Sequence, residues 1–117
     1  MLLPLLLAQA AAYPDPLEAG WKGEPVCELL QDDAAIRVLR CSFEPGQGHE
    51  LHTHQPHWGY TLEGGKQKIT DDNGARIIDV PAGATWRRNE PYTHQAENVG
   101  ETTTSYIIVE PKAAEKD

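Results

Sequence analysis

Apolar and β-branched residues recur along this chain in short runs of five to eight positions, not every third or fourth. The runs Val26 to Leu30, Ile36 to Phe43, Trp58 to Leu62, Lys66 to Thr70, Ala75 to Val80 and Thr103 to Val109 each suit an extended strand. Turn chemistry separates them: Pro45-Gly46-Gln47-Gly48, Glu63-Gly64-Gly65, Asp71-Asp72-Asn73-Gly74, Pro81-Ala82-Gly83 and Asn89-Glu90-Pro91. Asn73-Gly74 predicts a tight hairpin, because both residues tolerate positive φ. No stretch sustains a helical period, so the pattern predicts an all-β barrel or sandwich.

The 117 residues suffice for one domain with a single core. Residues 25–111 hold the predicted strands, and 13–24 form an irregular lead-in broken by Pro14, Pro16, Gly20 and Gly23. Residues 112–117 form a charged tail with nothing to bury. Residues 1–12 are Leu-rich and carry the small-x-small pattern Ala8-Gln9-Ala10, which fits either a signal peptide or an apolar tail. The stretch is far shorter than the roughly 20 apolar residues of a membrane-spanning helix. The expectation is export to the periplasm or medium, with a cytoplasmic location as the alternative.

A formal net charge of -8, with Lys and Arg scattered, lacks the basic face that nucleic acid or an anionic membrane requires. Cys27 and Cys41 are the only cysteines and stand in no metal-ligand spacing. A hairpin centred on Ala34 would put them opposite each other, as a disulfide or as two buried thiols. Nucleotide loops, GxSxG elbows and HExxH helices are missing from the sequence.

Four of the five histidines fall between His49 and His57. Side chains alternate along a strand, so His52 and His54 share a face about 6–7 Å apart, which is half of a metal site. Neutral imidazole suits Zn, Fe, Ni, Mn or Cu better than it suits Mg or Ca. By the same parity Glu50 joins His52 and His54, as a carboxylate near the metal or as an exposed strand-end group, while His49 points away to the surface.

The segment from Pro45-Gly46-Gln47-Gly48 to His52-Thr53-His54, running on through a strand to Leu62-Glu63-Gly64, resembles the first motif of the cupin family. Gly74, Pro81-Ala82-Gly83 and His94-Gln95-Ala96-Glu97-Asn98 resemble its second motif. The resemblance spans Pro45 to Asn98 and implies a jelly-roll β-barrel that holds a divalent transition metal through His52, His54 and His94. It departs from the family in two places. The family's Glu falls at His57, which either serves as a fourth ligand or leaves a three-histidine site; and Ala84 to Thr93 lengthen the path from PxG to His94. A Gly-Gly turn after the first motif and a Trp-Arg segment after Pro81-Ala82-Gly83 are similar to single-domain cupins linked with beta-alanine degradation.

Trp58 and Tyr60 alternate with Gly59 and Thr61, and either set faces inward. If the aromatics face outward, they form a strip that a second copy would cover in a homodimer. Tyr60 and Arg87 are candidates for contact with a substrate, and Arg87 with Arg88 for holding an anion; the plainer alternative is exposed arginines. A site of neutral histidines leaves the metal's charge uncompensated, so a small organic anion is the expected guest. The implied activities are a metal-dependent dioxygenase or isomerase of the cupin type, a non-catalytic binding module of the periplasm, or a barrel without metal.

Overall fold

The protein is described by a computed structural model over residues 13–112; the Leu-rich start and residues 113–117 of the charged tail lie outside the described residues. Within them are eleven strands and no helix. They are β1 (Gly20–Trp21), β2 (Glu24–Pro25), β3 (Cys27–Asp32), β4 (Ile36–Phe43), β5 (Gly48–His54), β6 (His57–Glu63), β7 (Gly65–Asp71), β8 (Gly74–Val80), β9 (Thr85–Arg88), β10 (Tyr92–Asn98) and β11 (Thr104–Pro111). A five-stranded sheet runs β3-β4-β11-β6-β9, a four-stranded sheet runs β5-β10-β7-β8, and β1 and β2 make a small hairpin. Every described pairing is antiparallel, and chain neighbours such as β5 and β6 lie in opposite sheets, which is the crossing pattern of a jelly roll.

Alternation along the strands sorts residues into an inner and an outer layer. Leu39, Cys41 and Phe43 of β4 and Tyr106 and Ile108 of β11 face Ile69 of β7 and Ala96 of β10 across the interior. This aliphatic and aromatic set fills one part of the space between the sheets. Imidazoles take much of another part: none of the five histidines is more than 9% exposed.

The β7–β8 hairpin forms at the expected place by a different turn. Asp72 and Asn73 make the turn and the Asn73 N–H donates to Asp71 Oδ1 at 2.9 Å; only Gly74, paired with Asp71, takes a positive φ, of 106°. A right-handed turn followed by a left-handed glycine delivers the same reversal as two positive-φ residues. At the other end, Asn98 of β10 clips three segments together. Its Nδ2 donates to the carbonyls of Phe43 and Thr102 at 3.0 and 2.9 Å, and its Oδ1 accepts from Gly100 N–H.

The lead-in is more ordered than its prolines and glycines predict. Its chain turns at Asp15, pairs β1 with β2, and lies along β5 through a Thr53 N–H to Pro14 carbonyl bond. Arg37 holds it down, donating from Nη2 to Asp15 at 2.7 Å and from Nε to Glu110 at 2.8 Å. The two partly buried carboxylates compensate one guanidinium in a shielded setting, where charge-assisted bonds are strongest. Replacing Arg37 with Ala is expected to cost about 1–3 kcal/mol, seen as a lower urea midpoint together with faster proteolysis around residues 13–19. An unchanged midpoint would show that this clamp carries no stability.

Candidate metal centre

The register places His94 of β10 directly opposite His52 of β5. With His54 two positions along the same strand, three imidazoles meet on the inner face of the four-stranded sheet. Each offers one nitrogen, and these atoms lie within 4.8 Å of one another in a buried cluster. Ring centroids of His52 and His54 are 4.6 Å apart, and those of His52 and His94 are 4.7 Å apart.

A hydrogen bond sets which nitrogen His52 presents. The Nδ1–H of His52 donates to the Glu50 carbonyl at 2.7 Å, leaving the Nε2 lone pair aimed at Nε2 of His54, 2.9 Å away. Such a backbone bond to the far nitrogen is how ligating histidines are usually oriented. His94 has both ring nitrogens buried with no protein partner, and His54 lacks one for Nδ1. An unmet buried polar atom costs about 1–3 kcal/mol, and an ion held by one nitrogen of His94 would relieve one of them. Lone pairs converging from three neutral rings fit a cation better than a water, and nitrogens within 4.8 Å of one another are near enough to close onto one ion with bonds of about 2.0–2.1 Å. A divalent transition metal therefore fits these residues.

His57 sits beside the cluster, its ring 4.8 Å from that of His54, but its nitrogens are engaged. Nδ1–H donates to the Gln55 carbonyl at 2.7 Å, and Nε2 accepts the indole N–H of Trp86 at 3.2 Å. That lone pair is spent, so the ligand-capable cluster has three members. Gly59, paired with Trp86 in register, leaves room for the indole: a Cβ there would lie 2.2 Å from the ring.

Glu50 and His49 exchange the faces expected of them. Between His94 and Ala96 of β10, which pair with His52 and His49, β5 carries one residue more than its partner. Glu50 and Leu51 share this bulge and both turn outward; the Glu50 carboxylate accepts the Lys22 N–H at 2.8 Å, away from the histidines. The bulge resets the parity. His49 thereby enters the interior, stacks on His52 with centroids 3.6 Å apart, and bonds through Nε2 to the Pro16 carbonyl at 3.0 Å. It is the residue near the centre that period-two counting misses, since no residue type in His49–Leu51 marks a bulge. Cys27 and Cys41 are paired across β3 and β4 and form a disulfide, with Cys27 Sγ 3.9 Å from His49 Nε2.

A cavity of about 380 Å³ opens beside the cluster, between the β8 and β9 edges of the two sheets. His54, His57 and His94 form its polar end, and Ile69, Ile78, Val80, Trp86 and Tyr106 its apolar wall. The longer segment after Pro81-Ala82-Gly83 is a strand extension, β9 pairing with β6, and it carries both arginines to the mouth. Tyr60 lies outside, stacked on Trp58 with centroids 6.3 Å apart, so the aromatic set of β6 is the outward one. Arg87 pairs with Trp58 on that outer side, and its Nε donates to Asn89. Arg88 pairs with inward-facing His57.

No family profile matches the sequence, and no curated protein matches it. Solved structures do match. A cupin domain from Bordetella pertussis Tohama I superposes with a TM-score of 0.71 at 19% identity, over 87% of this chain and 98% of that one. A cupin superfamily protein from Desulfitobacterium hafniense DCB-2 gives 0.57 at 16% identity, over 75% and 77%. Oxalate decarboxylase from Bacillus subtilis, a protein with Mn(II) centres, gives 0.60 at 23% identity over 87% of this chain but only 29% of its own.

Burial holds the histidines neutral. Desolvation lowers His52 to about 4, and desolvation followed by repulsion from neighbouring imidazoles lowers His94 to about 2 and takes His54 well below its ordinary value. Desolvation likewise lowers His49 to about 3. In the unfolded chain these groups titrate near the ordinary 6.5. Protein stripped of metal by a chelator should therefore hold its full stability above pH 6.5 and lose it as pH falls from there towards 4. Each histidine that protonates only on unfolding steepens the loss by up to about 1.4 kcal/mol per pH unit. Urea midpoints at pH 7.5, 6 and 5 check this; a midpoint that holds or rises on acidification would contradict it.

The deep likeness in backbone, at identities too low to carry function, establishes that this chain has the cupin jelly-roll fold.

Proposed function

We propose that this protein binds a divalent transition metal through His52, His54 and His94 and acts on a small organic anion in the adjoining cavity. The observation that carries this reading is His94: a buried imidazole with neither nitrogen bonded, facing two others. The bound metal would supply Lewis-acid or redox chemistry to an oxygen of the guest. The chain's own residues do the rest. The Glu50 carbonyl fixes the tautomer of His52, the Trp86–His57 bond fixes the wall beside the ligands, and the apolar wall excludes bulk water. With neutral ligands only, the charge of the centre favours an anionic guest. The sequence likeness to cupins linked with beta-alanine degradation is in keeping with a small carboxylate.

Metal content of untagged protein tests the reading. About one ion per chain is expected after reconstitution, and His94→Ala or His52→Ala should lower affinity by at least about tenfold, while His57→Ala keeps the stoichiometry. Less than one ion per several chains after reconstitution, or loss of binding in His57→Ala equal to that in His94→Ala, would refute it.

We also place the protein in an oxidising compartment, as a homodimer. The Cys27–Cys41 disulfide supports the first, since such bonds persist outside the reducing cytosol. The outer face of the five-stranded sheet supports the second. Trp58, Val109 and Val38 form one cross-strand row, and Tyr60 and Ile107 continue it in the next, with Trp58 41% and Tyr60 38% exposed. A second copy covers this strip without leaving an open end. Sedimentation should give a dimer that Trp58→Arg converts to a folded monomer; a monomeric wild type at tens of micromolar, on the order of ordinary assay concentrations, would refute it.

A further inference from the structure

We infer that Arg88 is the anion-binding group of the cavity, and that the guest is a monocarboxylate with an apolar, ring-sized body. This deepens the metal-and-anion reading and rests on it for the location of the reacting end.

Three arginines border the cavity, and their partners separate them. Arg76 is committed, donating from Nη1 to Asp71 at 3.2 Å and reaching the Tyr92 hydroxyl at 3.4 Å. Arg87 belongs to the outer side of β9 and donates to Asn89. Arg88 lies on the inner side, opposite His57, and makes no hydrogen bond or ion pair among the described residues. Its Cζ lies over the Tyr92 ring, 3.5 Å from the centroid. Stacking fixes a guanidinium flat and leaves its edge donors free, the state that suits two-point capture of a carboxylate.

The neighbourhood favours an incoming anion. Of the carboxylates near the mouth, Asp71 is occupied by Tyr92 and Arg76, and Asp79 by Lys66. Tyr92 in turn lies against His94, with ring centroids 4.6 Å apart, so one aromatic ring separates the guanidinium from the histidine cluster. A guest with its carboxylate on Arg88 therefore spans about a ring's length before its other end reaches the metal ligands. The cavity lining carries Ile69, Ile78, Val80, Trp86 and Tyr106 beside the polar Thr61 and Gln67, and this apolar majority suits a hydrocarbon body better than a small polar dianion.

Calorimetric titration of zinc-loaded protein with 3-phenylpropionate, its neutral amide 3-phenylpropanamide, and oxalate tests the inference. The carboxylate should bind at least about tenfold more tightly than the amide, as expected for a charge-assisted pair, and more tightly than oxalate. Arg88→Ala should remove the preference for carboxylate over amide, Arg88→Lys should keep part of it, and Arg87→Ala should leave it intact. The same series on metal-free protein separates the two readings. A carboxylate preference that depends on Arg88 in protein unable to hold zinc supports the clamp while refuting the metal centre. Zinc bound with an undiminished preference in Arg88→Ala, tighter binding of oxalate, or no binding of the carboxylate would overturn the clamp alone.

Discussion

The structure turns on the cost of burying imidazoles. A small barrel has few interior positions, and this one gives five of them to histidine, against an aliphatic and aromatic set led by Leu39, Phe43 and Ile108. Water solvates an imidazole at both nitrogens, and the interior replaces that solvation only in part. His52 and His57 recover one bond each from a backbone carbonyl two residues away, His49 one from Pro16, and His94 none. The consequence is a centre held neutral by desolvation, with its lone pairs turned on one another. Such an arrangement is unfavourable to folding by itself and favourable to a metal ion, which makes binding free energy part of folding free energy.

Local backbone features decide which histidines join the centre. The pairing of β10 with β5 sets His94 against His52, and the bulge at Glu50–Leu51 swings a carboxylate out and a further imidazole in. On β6 the outcome comes from hydrogen bonding. His57 is as close to His54 as the others are to one another, yet the Trp86 indole takes its lone pair. The β9 extension that supplies Trp86 also carries Arg88 to the mouth, so the same insertion that removes a ligand supplies a cation.

Much of this was legible in the chain. Runs between glycine and proline turns named six of the eleven strands, β3, β4, β6, β7, β8 and β11, and the likeness to two cupin motifs implied the jelly roll; the three-histidine cluster followed from HxH parity and that likeness. The disulfide was one of two open alternatives for a hairpin that does put Cys27 across from Cys41. What the chain did not show were effects of pairing rather than of residue type. A bulge is a mismatch between two strands, so neither the burial of His49 nor the exposure of Glu50 can be read from β5 alone. The choice of Arg88 over Arg87 depends on the register of β9 against β6. The folding-back of the lead-in depends on Arg37, some twenty residues away from Asp15.

The central claim is that one ion is shared by two strands of the same sheet. Anomalous diffraction from crystals of the reconstituted protein, recorded on either side of the metal's absorption edge, measures this directly. The account requires a single peak within bonding distance of Nε2 of His52, of His54 and of a ring nitrogen of His94, with His57 still bonded to Trp86. A peak elsewhere, or a centre clear of anomalous density with the three rings hydrogen-bonded to ordered water, would contradict it.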